Sequence, residues 1–208
     1  MIPAMSLTGE AKARIMAQPL AEISSPEDLA GEVARLRGEI DRLQGMVQRL
    51  DELAHLDALV ELPNRRGFMR QLEAIIARVQ RHGGNAALLF VDLDGLKLIN
   101  DSHGHKAGDQ ALIRVAELLV SGVRSGDCVA RLGGDEFGIL LDHADEAIAR
   151  ETASRLVDRI CDCGFSHEGS PLPLSVAIGI GMIGAEDTAE CVLARADEAM
   201  YLQKDAAA

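Results

Sequence analysis

The stretch RLGGDEFGIL, residues 131–140, constrains the fold more than any other part of this sequence. It places two glycines and two adjacent carboxylates between the apolar runs CVARL and FGILL. Two short apolar runs around a glycine-containing turn predict a β-hairpin. Gly133 and Gly134 can adopt positive φ values and let a ligand approach the backbone closely. An Asp-Glu pair in a turn is ordinarily a solvated loop, so the hairpin alone does not establish a site.

A second acidic position follows the run AALLFVDLD, residues 86–94, whose near-continuous apolar residues predict a buried strand. Asp92 and Asp94 stand where this strand ends, and ligand sites tend to lie at strand ends in such folds. Carboxylates suit Mg²⁺, which also keeps waters and binds substrate phosphates. If the sheet places this strand beside the hairpin, Asp92, Asp135 and Glu136 are what a metal-assisted phosphate reaction requires.

Composition excludes several classes of protein. The chain has 208 residues, 33 acidic against 21 basic, and a formal net charge of −12. This charge argues against nonspecific binding to nucleic acid or to an anionic membrane, and an anionic substrate would need metal ions. The sequence has no run of about 20 apolar residues and no signal-peptide pattern, so we expect a soluble, cytoplasmic protein without direct membrane insertion.

The four cysteines are scattered along the chain, which fits reduced thiols better than a disulfide framework. The segment CDCGFSH, residues 161–167, could supply half of a metal site through Cys161, Cys163 and His167. Zinc sites usually need paired ligand clusters, which this segment does not provide alone.

The N-terminal part predicts a tail and a long helix. Residues 1–24 have weak periodicity and are expected to be mobile or partner-dependent. Ser25 as N-cap and Pro26 at the first helical position begin a predicted helix over residues 25–56. Apolar residues along it alternate in steps of four and three, the spacing of a heptad seam. The seam consists of Leu29, Val33, Leu36, Ile40, Leu43, Val47, Leu50 and Ala54.

Valine and isoleucine at the a positions with leucine at the d positions favour a parallel two-stranded coiled coil, so we expect a homodimer. Glu32 at a g position and Arg37 at the next e position could pair between chains. The alternative is a long helix packed along its own domain, which also shows an apolar stripe. The strict period of 3.5 residues favours the dimer.

Residues 57–208 predict a second domain, because Leu53 and Leu56 leave the heptad register and Pro63 stops the helix. Helices and strands then alternate, which predicts an α/β or α+β fold around a single central sheet flanked by helices. The predicted helices are 66–81, 107–121, 144–161 and 188–204, and the predicted strands are 86–94, the two hairpin strands and 172–182.

Four segments in this order resemble the GGDEF family, the diguanylate cyclases. They are LPNRR, DLDGLKLINDSHGHKAGD, the signature GGDEF and the closing ADEAMYLQK. The resemblance covers residues 57–204, and four segments in family order are far more specific than five residues alone. It implies a sheet related to that of class III nucleotide cyclases, and the conversion of two GTP into cyclic di-GMP and two pyrophosphates.

The resemblance also implies roles for the acidic residues. Asp92, the backbone carbonyl of Leu93 and Asp135 would hold Mg²⁺, or Mn²⁺ in its place. Glu136 would support metal binding or take the proton from the ribose 3′-hydroxyl.

Asn100 and Asp109 match the family's guanine-reading pair. An acidic side chain can accept hydrogen bonds from guanine N1–H and N2–H₂, and adenine has no donors at these positions. Lys97 would stabilise charge on the phosphates. Outside this family, Asn100 and Asp101 would simply cap a turn and Lys97 would be solvated. The residues expected to bind substrate are Asn100, Asp109, Gly133, Gly134 and Lys204.

The segment RSGD, residues 124–127, lies at the family's offset for an inhibitory product site. Arg124 suits bidentate phosphate and guanine contacts, and Asp127 can hold base N–H groups, so we expect inhibition by cyclic di-GMP. As bare sequence this segment is a Ser-Gly turn flanked by a surface pair.

The match departs from the family at several positions. Leu96 replaces the usual Phe and Leu132 a common Tyr, which are mostly packing changes. Glu61 stands where the family has Gly, which calls the local backbone turn into question. Of the family's Lys-x-x-x-Arg contacts only Lys204 is present, because the fourth residue on is Ala208. Losing one guanidinium contact costs about 1.5–3 kcal/mol of binding and leaves the metal site in place.

Two functions follow from these patterns. The first is a Mg²⁺-dependent cyclase in which two chains each hold one GTP and a coiled coil keeps them together. The tail could receive a signal from a partner. The second is a catalytically weak domain that binds a guanine nucleotide or cyclic di-GMP as a receptor, for which the absent arginine is the main argument.

Overall fold

The computed structural model describes residues 26–53 and 55–207. The chain divides into two units, Met1–Asp51 and Glu52–Ala208. The predicted tail, residues 1–24, and the predicted cap Ser25 lie outside the described residues. Along the described ranges, no helix combines the length and the hydropathy that crossing a bilayer requires.

Helix α1, Pro26–Leu53, accounts for the described part of the first unit and ends before the predicted residue 56. The described seam side chains Val33, Leu36, Ile40 and Leu43 are between 39% and 51% exposed in the single chain. Ion pairs within the helix join Glu32 to Arg35 and Glu39 to Arg42. Within the single chain, therefore, Glu32 is engaged by Arg35. The predicted pairing of Glu32 with Arg37 is between chains and stays a prediction.

The strands of the second unit are β1 (Ala86–Leu93), β2 (Cys128–Gly133), β3 (Glu136–Asp142), β4 (Ser166–His167), β5 (Ser170–Pro171) and β6 (Val176–Ile183). Strands β2, β3, β1 and β6 form the central sheet in that spatial order, and each neighbouring pair is antiparallel. Strands β4 and β5 form a separate short hairpin that the sequence did not predict. The predicted strand 172–182 begins only at Val176.

The helices of this unit are α2 (Arg65–His82), α3 (Leu96–His103), α4 (His105–Ser121), α5 (Glu146–Cys161) and α6 (Ala189–Ala207). All but α3 were predicted, with ends that differ by at most three residues. Helix α3 was missed because its polar residues N-D-S-H have weak helix propensity and are typical of a turn. It forms because Leu96 and Ile99 are buried in the core.

Helices cover both faces of the sheet. Along β1, Leu89 and Val91 pack into an apolar cluster with α3, α4 and α5. Leu88 and Phe90 point the other way, into a cluster with α2 and α6. Two covered faces explain why β1 is almost entirely apolar, a pattern more usual in parallel sheets. The predicted single sheet flanked by helices is confirmed, and its strands are antiparallel.

The turn that leads into α2 is built around Asp57. Its carboxylate accepts hydrogen bonds from the backbone N–H groups of Leu59, at 3.0 Å, and Val60, at 3.1 Å. Glu61 donates its N–H to the Asp57 carbonyl at 3.1 Å and has a φ of 55°, in the left-handed region. The turn therefore keeps the conformation that glycine favours, although a glutamate occupies the position.

Replacing Glu61 by glycine should stabilise the fold. A non-glycine residue in the left-handed region costs about 1–2 kcal/mol, of which glycine's larger unfolded-state entropy returns a part. We expect Glu61→Gly to increase the free energy of unfolding in urea by roughly 0.5–1 kcal/mol. Glu61→Ala is the matched control: it removes the same carboxylate but keeps the strain, so it should give no gain. Equal midpoints for the two variants would contradict this explanation.

Candidate active site

The acidic strand end and the acidic turn meet at one edge of the sheet. In the β1–β3 register Asp92 lies opposite Glu136. One step further, the N–H of Leu93 donates to the carbonyl of Asp135 at 3.0 Å. The end of β1 thus meets the start of β3, an arrangement that antiparallel pairing produces. The structure therefore brings the three predicted metal-site carboxylates, those of Asp92, Asp135 and Glu136, to the same edge of the sheet.

The turn between β2 and β3 is held by hydrogen bonds from the side chain of Arg131. Gly133 and Gly134 have φ values of 154° and 50°. The guanidinium of Arg131 donates to the carbonyl of Gly134 at 3.1 and 2.7 Å, and a third nitrogen lies 3.3 Å from the Asp57 carboxylate. Arg131 thereby ties the acidic turn to the segment that precedes α2.

Lys204 reaches the same edge from α6. It stands one helical turn beyond the buried Met200, and its ammonium donates to the carboxylate of Asp92. The ammonium also lies 3.6 Å from Asp94. Asp94 is further held by the hydroxyl of Ser175, at 2.8 Å. A cation already bridges two of the acidic side chains at this edge.

Burial raises the pKa of Asp92, and the like charges of Asp135 and Asp94 add to this, against the opposing effect of Lys204. Burial likewise raises the pKa of Glu136, opposed by the nearby charge of Arg65. For Lys204, burial lowers the pKa, but the contacts with Asp92 and Asp94 together outweigh burial and the net shift is upward.

Desolvated, crowded carboxylates favour a bound cation. Carboxylate oxygens are also the ligands that Mg²⁺ prefers. In residues 26–53 and 55–207, however, no three His, Cys, Asp or Glu side chains have already converged into a metal cage. At the acidic edge this agrees with Lys204 occupying the position beside Asp92.

The predicted guanine-reading residues lie on neighbouring helices. Asn100 is on α3 and Asp109 is on α4, and the helices meet at Gly104, whose N–H donates to the Asn100 carbonyl at 2.9 Å. Asn100 packs against the first turn of α4, while the side chains of Asp109 and Lys97 are exposed.

The predicted inhibitory segment forms a closed turn. The N–H of Arg124 donates to the Asp127 carboxylate at 2.9 Å, and the N–H of Asp127 donates back to the Arg124 carbonyl at 3.0 Å. The second carboxylate oxygen of Asp127 accepts from the N–H of Asp142 at 3.3 Å. Arg124 and Asp127 line a cavity of about 100 Å³ that α5 also borders.

The cysteine-containing segment shows no set of metal ligands. Cys161 is exposed and Cys163 is half-buried, and both are free thiols. The Nδ1 atom of His167 lies 2.8 Å from the side-chain oxygen of Gln110.

Several residues at the site were not chosen from the sequence. Asp94 was noted at the strand end but was given no role, and Ser175, which positions it, carries no local signal. Arg131 lies two positions before Gly133, where the signature begins, and this was its only signal. These contacts join residues far apart in the chain, so periodicity cannot reveal them.

The comparisons agree with this geometry. The family model described as "Diguanylate cyclase, GGDEF domain" matches residues 54–208. The diguanylate cyclase TpbB of Pseudomonas aeruginosa PAO1 is 36% identical over 194 residues, covering 92% of this chain and 45% of TpbB. This chain belongs to the GGDEF family of diguanylate cyclases. It spans less than half the length of the curated relatives it matches.

Two solved structures are similar to the chain. The coiled coil and GGDEF domain of DgcB from Caulobacter crescentus, in complex with c-di-GMP, gives a TM-score of 0.76 at 24% identity, covering 86% of this chain and 95% of the solved chain. That likeness concerns the fold alone. Diguanylate cyclase SiaD in complex with its activator SiaC, from Pseudomonas aeruginosa, gives a TM-score of 0.71 at 28% identity, covering 95% of this chain and 76% of the solved chain.

Glu136→Gln should stabilise the unliganded fold. The pKa of Glu136 in the folded state lies above its unfolded value of 4.5, so ionising this carboxyl destabilises the fold. Its contribution to stability therefore falls as the pH rises from the unfolded pKa to the folded pKa. The cost is complete at neutral pH, where the variant should melt at a higher temperature than the wild type. Below pH 4 the difference should disappear, because both side chains are then neutral. Glu73→Gln, on the exposed face of α2, is the control; an equal shift there would refute the local explanation.

Proposed function

We propose that the chain acts as a diguanylate cyclase, converting two GTP into cyclic di-GMP and two pyrophosphates. The pairing of Asp92 opposite Glu136 carries this proposal. It brings the acidic turn and the acidic strand end to the same edge of the sheet, where one substrate can contact both. In this proposal residues 57–208 are the catalytic domain, residues 25–56 the dimerisation helix and residues 1–24 a segment that receives a signal.

The acidic edge fits Mg²⁺, with Mn²⁺ as a substitute. Asp92 and Asp135, the backbone carbonyl of Leu93 and, in support, Glu136 would hold the ion. The raised pKa values of Asp92 and Glu136 support this assignment, as does the ammonium of Lys204 already seated beside Asp92. When bound, such an ion neutralises the triphosphate and polarises the α-phosphate.

The residues of this chain supply the remaining chemistry. The 3′-oxygen of one GTP attacks the α-phosphorus of the other, and the bond from that phosphorus to the pyrophosphate oxygen breaks. Glu136 accepts the 3′-hydroxyl proton, for which its raised pKa suits it. The ammonium of Lys204 moves from Asp92 to the phosphates of GTP, and Lys97 adds positive charge there.

Base selection falls to the neighbouring helices α3 and α4. Asn100 and Asp109 would hold the guanine edge, because an acidic acceptor meets N–H donors that adenine lacks. Gly133 and Gly134, without side chains, let the phosphates approach the turn.

Each domain holds one GTP, so two domains must face each other. The exposed seam of α1 would hold the two chains together as a parallel coiled coil. This would cover the apolar side chains of the seam and keep two domains at high effective concentration. An N-terminal partner could then act through this helix. The similarity to SiaD, whose structure includes its activator SiaC, supports a signalling partner of this kind.

Product inhibition would act at the turn of Arg124 and Asp127. Asp127 is oriented by the backbone and lines a cavity with Arg124. A guanidinium there suits phosphate and guanine contacts.

Purified protein with GTP and Mg²⁺ should form cyclic di-GMP, measured by liquid chromatography. The double variant Asp135→Ala, Glu136→Ala should lose activity by about 100-fold or more, since it removes both a metal ligand and the proton acceptor. Arg124→Ala should form product at the initial rate of the wild type but without self-limitation. Product from the double variant would contradict the site. No product from the wild type, with tight guanine-nucleotide binding, would establish the receptor alternative.

Dimerisation through α1 should be necessary for activity. Ile40→Glu places a charge in the seam and should give monomers in sedimentation analysis, with at least about tenfold lower activity at micromolar protein. Gly38→Glu introduces the same side chain outside the seam and is the control. A monomeric Ile40→Glu variant with full activity would refute the role of the coiled coil.

A further inference from the structure

Gly108 lies in the first turn of α4 and is buried against the side chain of Asn100. A Cβ atom added there would stand 2.1 Å from Oδ1 and 2.9 Å from Cγ of Asn100, and 3.2 Å from Cδ1 of Leu96. Real Cβ atoms essentially never come within 3.0 Å of other atoms, as both distances to Asn100 would require, so the side chain of Asn100 occupies space that exists only because residue 108 is glycine.

The backbone does not require glycine at this position. Gly108 is helical, and its φ lies outside the left-handed region. In a helix interior, glycine is about 1 kcal/mol less favourable than alanine. Gly108 therefore lowers helix stability although no turn requires a glycine there. Its contribution to the structure is the space that a side chain would otherwise fill.

Nothing else in the described part of the chain holds the Asn100 amide: across residues 26–53 and 55–207 no hydrogen-bonding group is paired with it. Its backbone carbonyl is bonded by Gly104, but the side chain is positioned by packing alone. The Asn100 amide therefore lies beside Gly108, which immediately precedes Asp109 in the chain.

We infer that Gly108 is a specificity-determining positioning residue, whose missing Cβ lets the Asn100 amide take the position from which it contacts guanine. This inference rests on the proposed function. Asn100 is the flexible end of a side chain, so a methyl group at residue 108 would rotate it away and leave the helix intact. The predicted cost of Gly108→Ala is loss of base discrimination with stability retained.

Gly179 provides the contrast. A Cβ there would stand 1.9 Å from the carbonyl of Ala196 and 2.3 Å from the backbone nitrogen of Met200. Backbone atoms of a packed helix cannot rotate away, so Gly179→Ala should destabilise the fold. A Cβ atom would be too close to its neighbours at either glycine, but the two positions differ in what a methyl group would displace.

The test uses 3′-deoxy-GTP and 3′-deoxy-ATP, which lack the attacking hydroxyl and therefore bind without reacting. Their affinities for the full chain are measured by calorimetry with Mg²⁺ present, together with the melting temperature. For Gly108→Ala we expect an unchanged or higher melting temperature, about tenfold weaker binding of 3′-deoxy-GTP and unchanged binding of 3′-deoxy-ATP. Gly38→Ala, a helical glycine with open space around it, should behave as the wild type.

A double-mutant cycle with Asn100→Ala isolates the mechanism. If Gly108 acts through Asn100, adding Gly108→Ala to Asn100→Ala should weaken 3′-deoxy-GTP binding no further. Additive losses would overturn the inference, as would an unchanged guanine preference or unfolding of Gly108→Ala. A wild type with no preference for 3′-deoxy-GTP would instead overturn the proposed function together with this inference.

Discussion

The antiparallel register of β1 and β3 is the constraint on which the site depends. It sets Asp92 opposite Glu136 and brings the backbone of Leu93 to Asp135. A slip of one residue would turn the side chains of β1 to the opposite faces of the sheet. Both faces are packed with helices, so such a slip would exchange two shaped apolar clusters and is strongly disfavoured. The packing of the core therefore also fixes the geometry of the acidic edge.

The acidic edge is costly to the fold. Burial and mutual repulsion raise the pKa values of Asp92 and Glu136, so their ionised forms are held at the expense of stability. Lys204 offsets part of this cost, and α6 can deliver it only because Met200 anchors the preceding turn in the core. An arrangement that opposes stability at one edge is typical of functional sites.

Much of this was predictable, for identifiable reasons. The hairpin followed from Gly133 and Gly134 between apolar runs, and most helices from their apolar period. Helix α3 was not predictable from propensity, because burial of Leu96 and Ile99 outweighs its weak helix formers. The carboxylates of the proposed metal site and Lys204 were selected through the motif segments, but the contacts of Asp94 with Ser175 and Lys204 were not.

The sequence by itself determined the local features: the hairpin, the strand ending in acids, the heptad seam and the set of residues that carry the family resemblance. These depend on neighbours within a few positions, where period and turn chemistry act. Tertiary structure decided which distant groups meet: Asp92 with Glu136, Lys204 with Asp92, Arg131 with Asp57, and Asn100 with Gly108. Such pairs form because close packing leaves one arrangement of sheet and helices, and no local pattern encodes that arrangement.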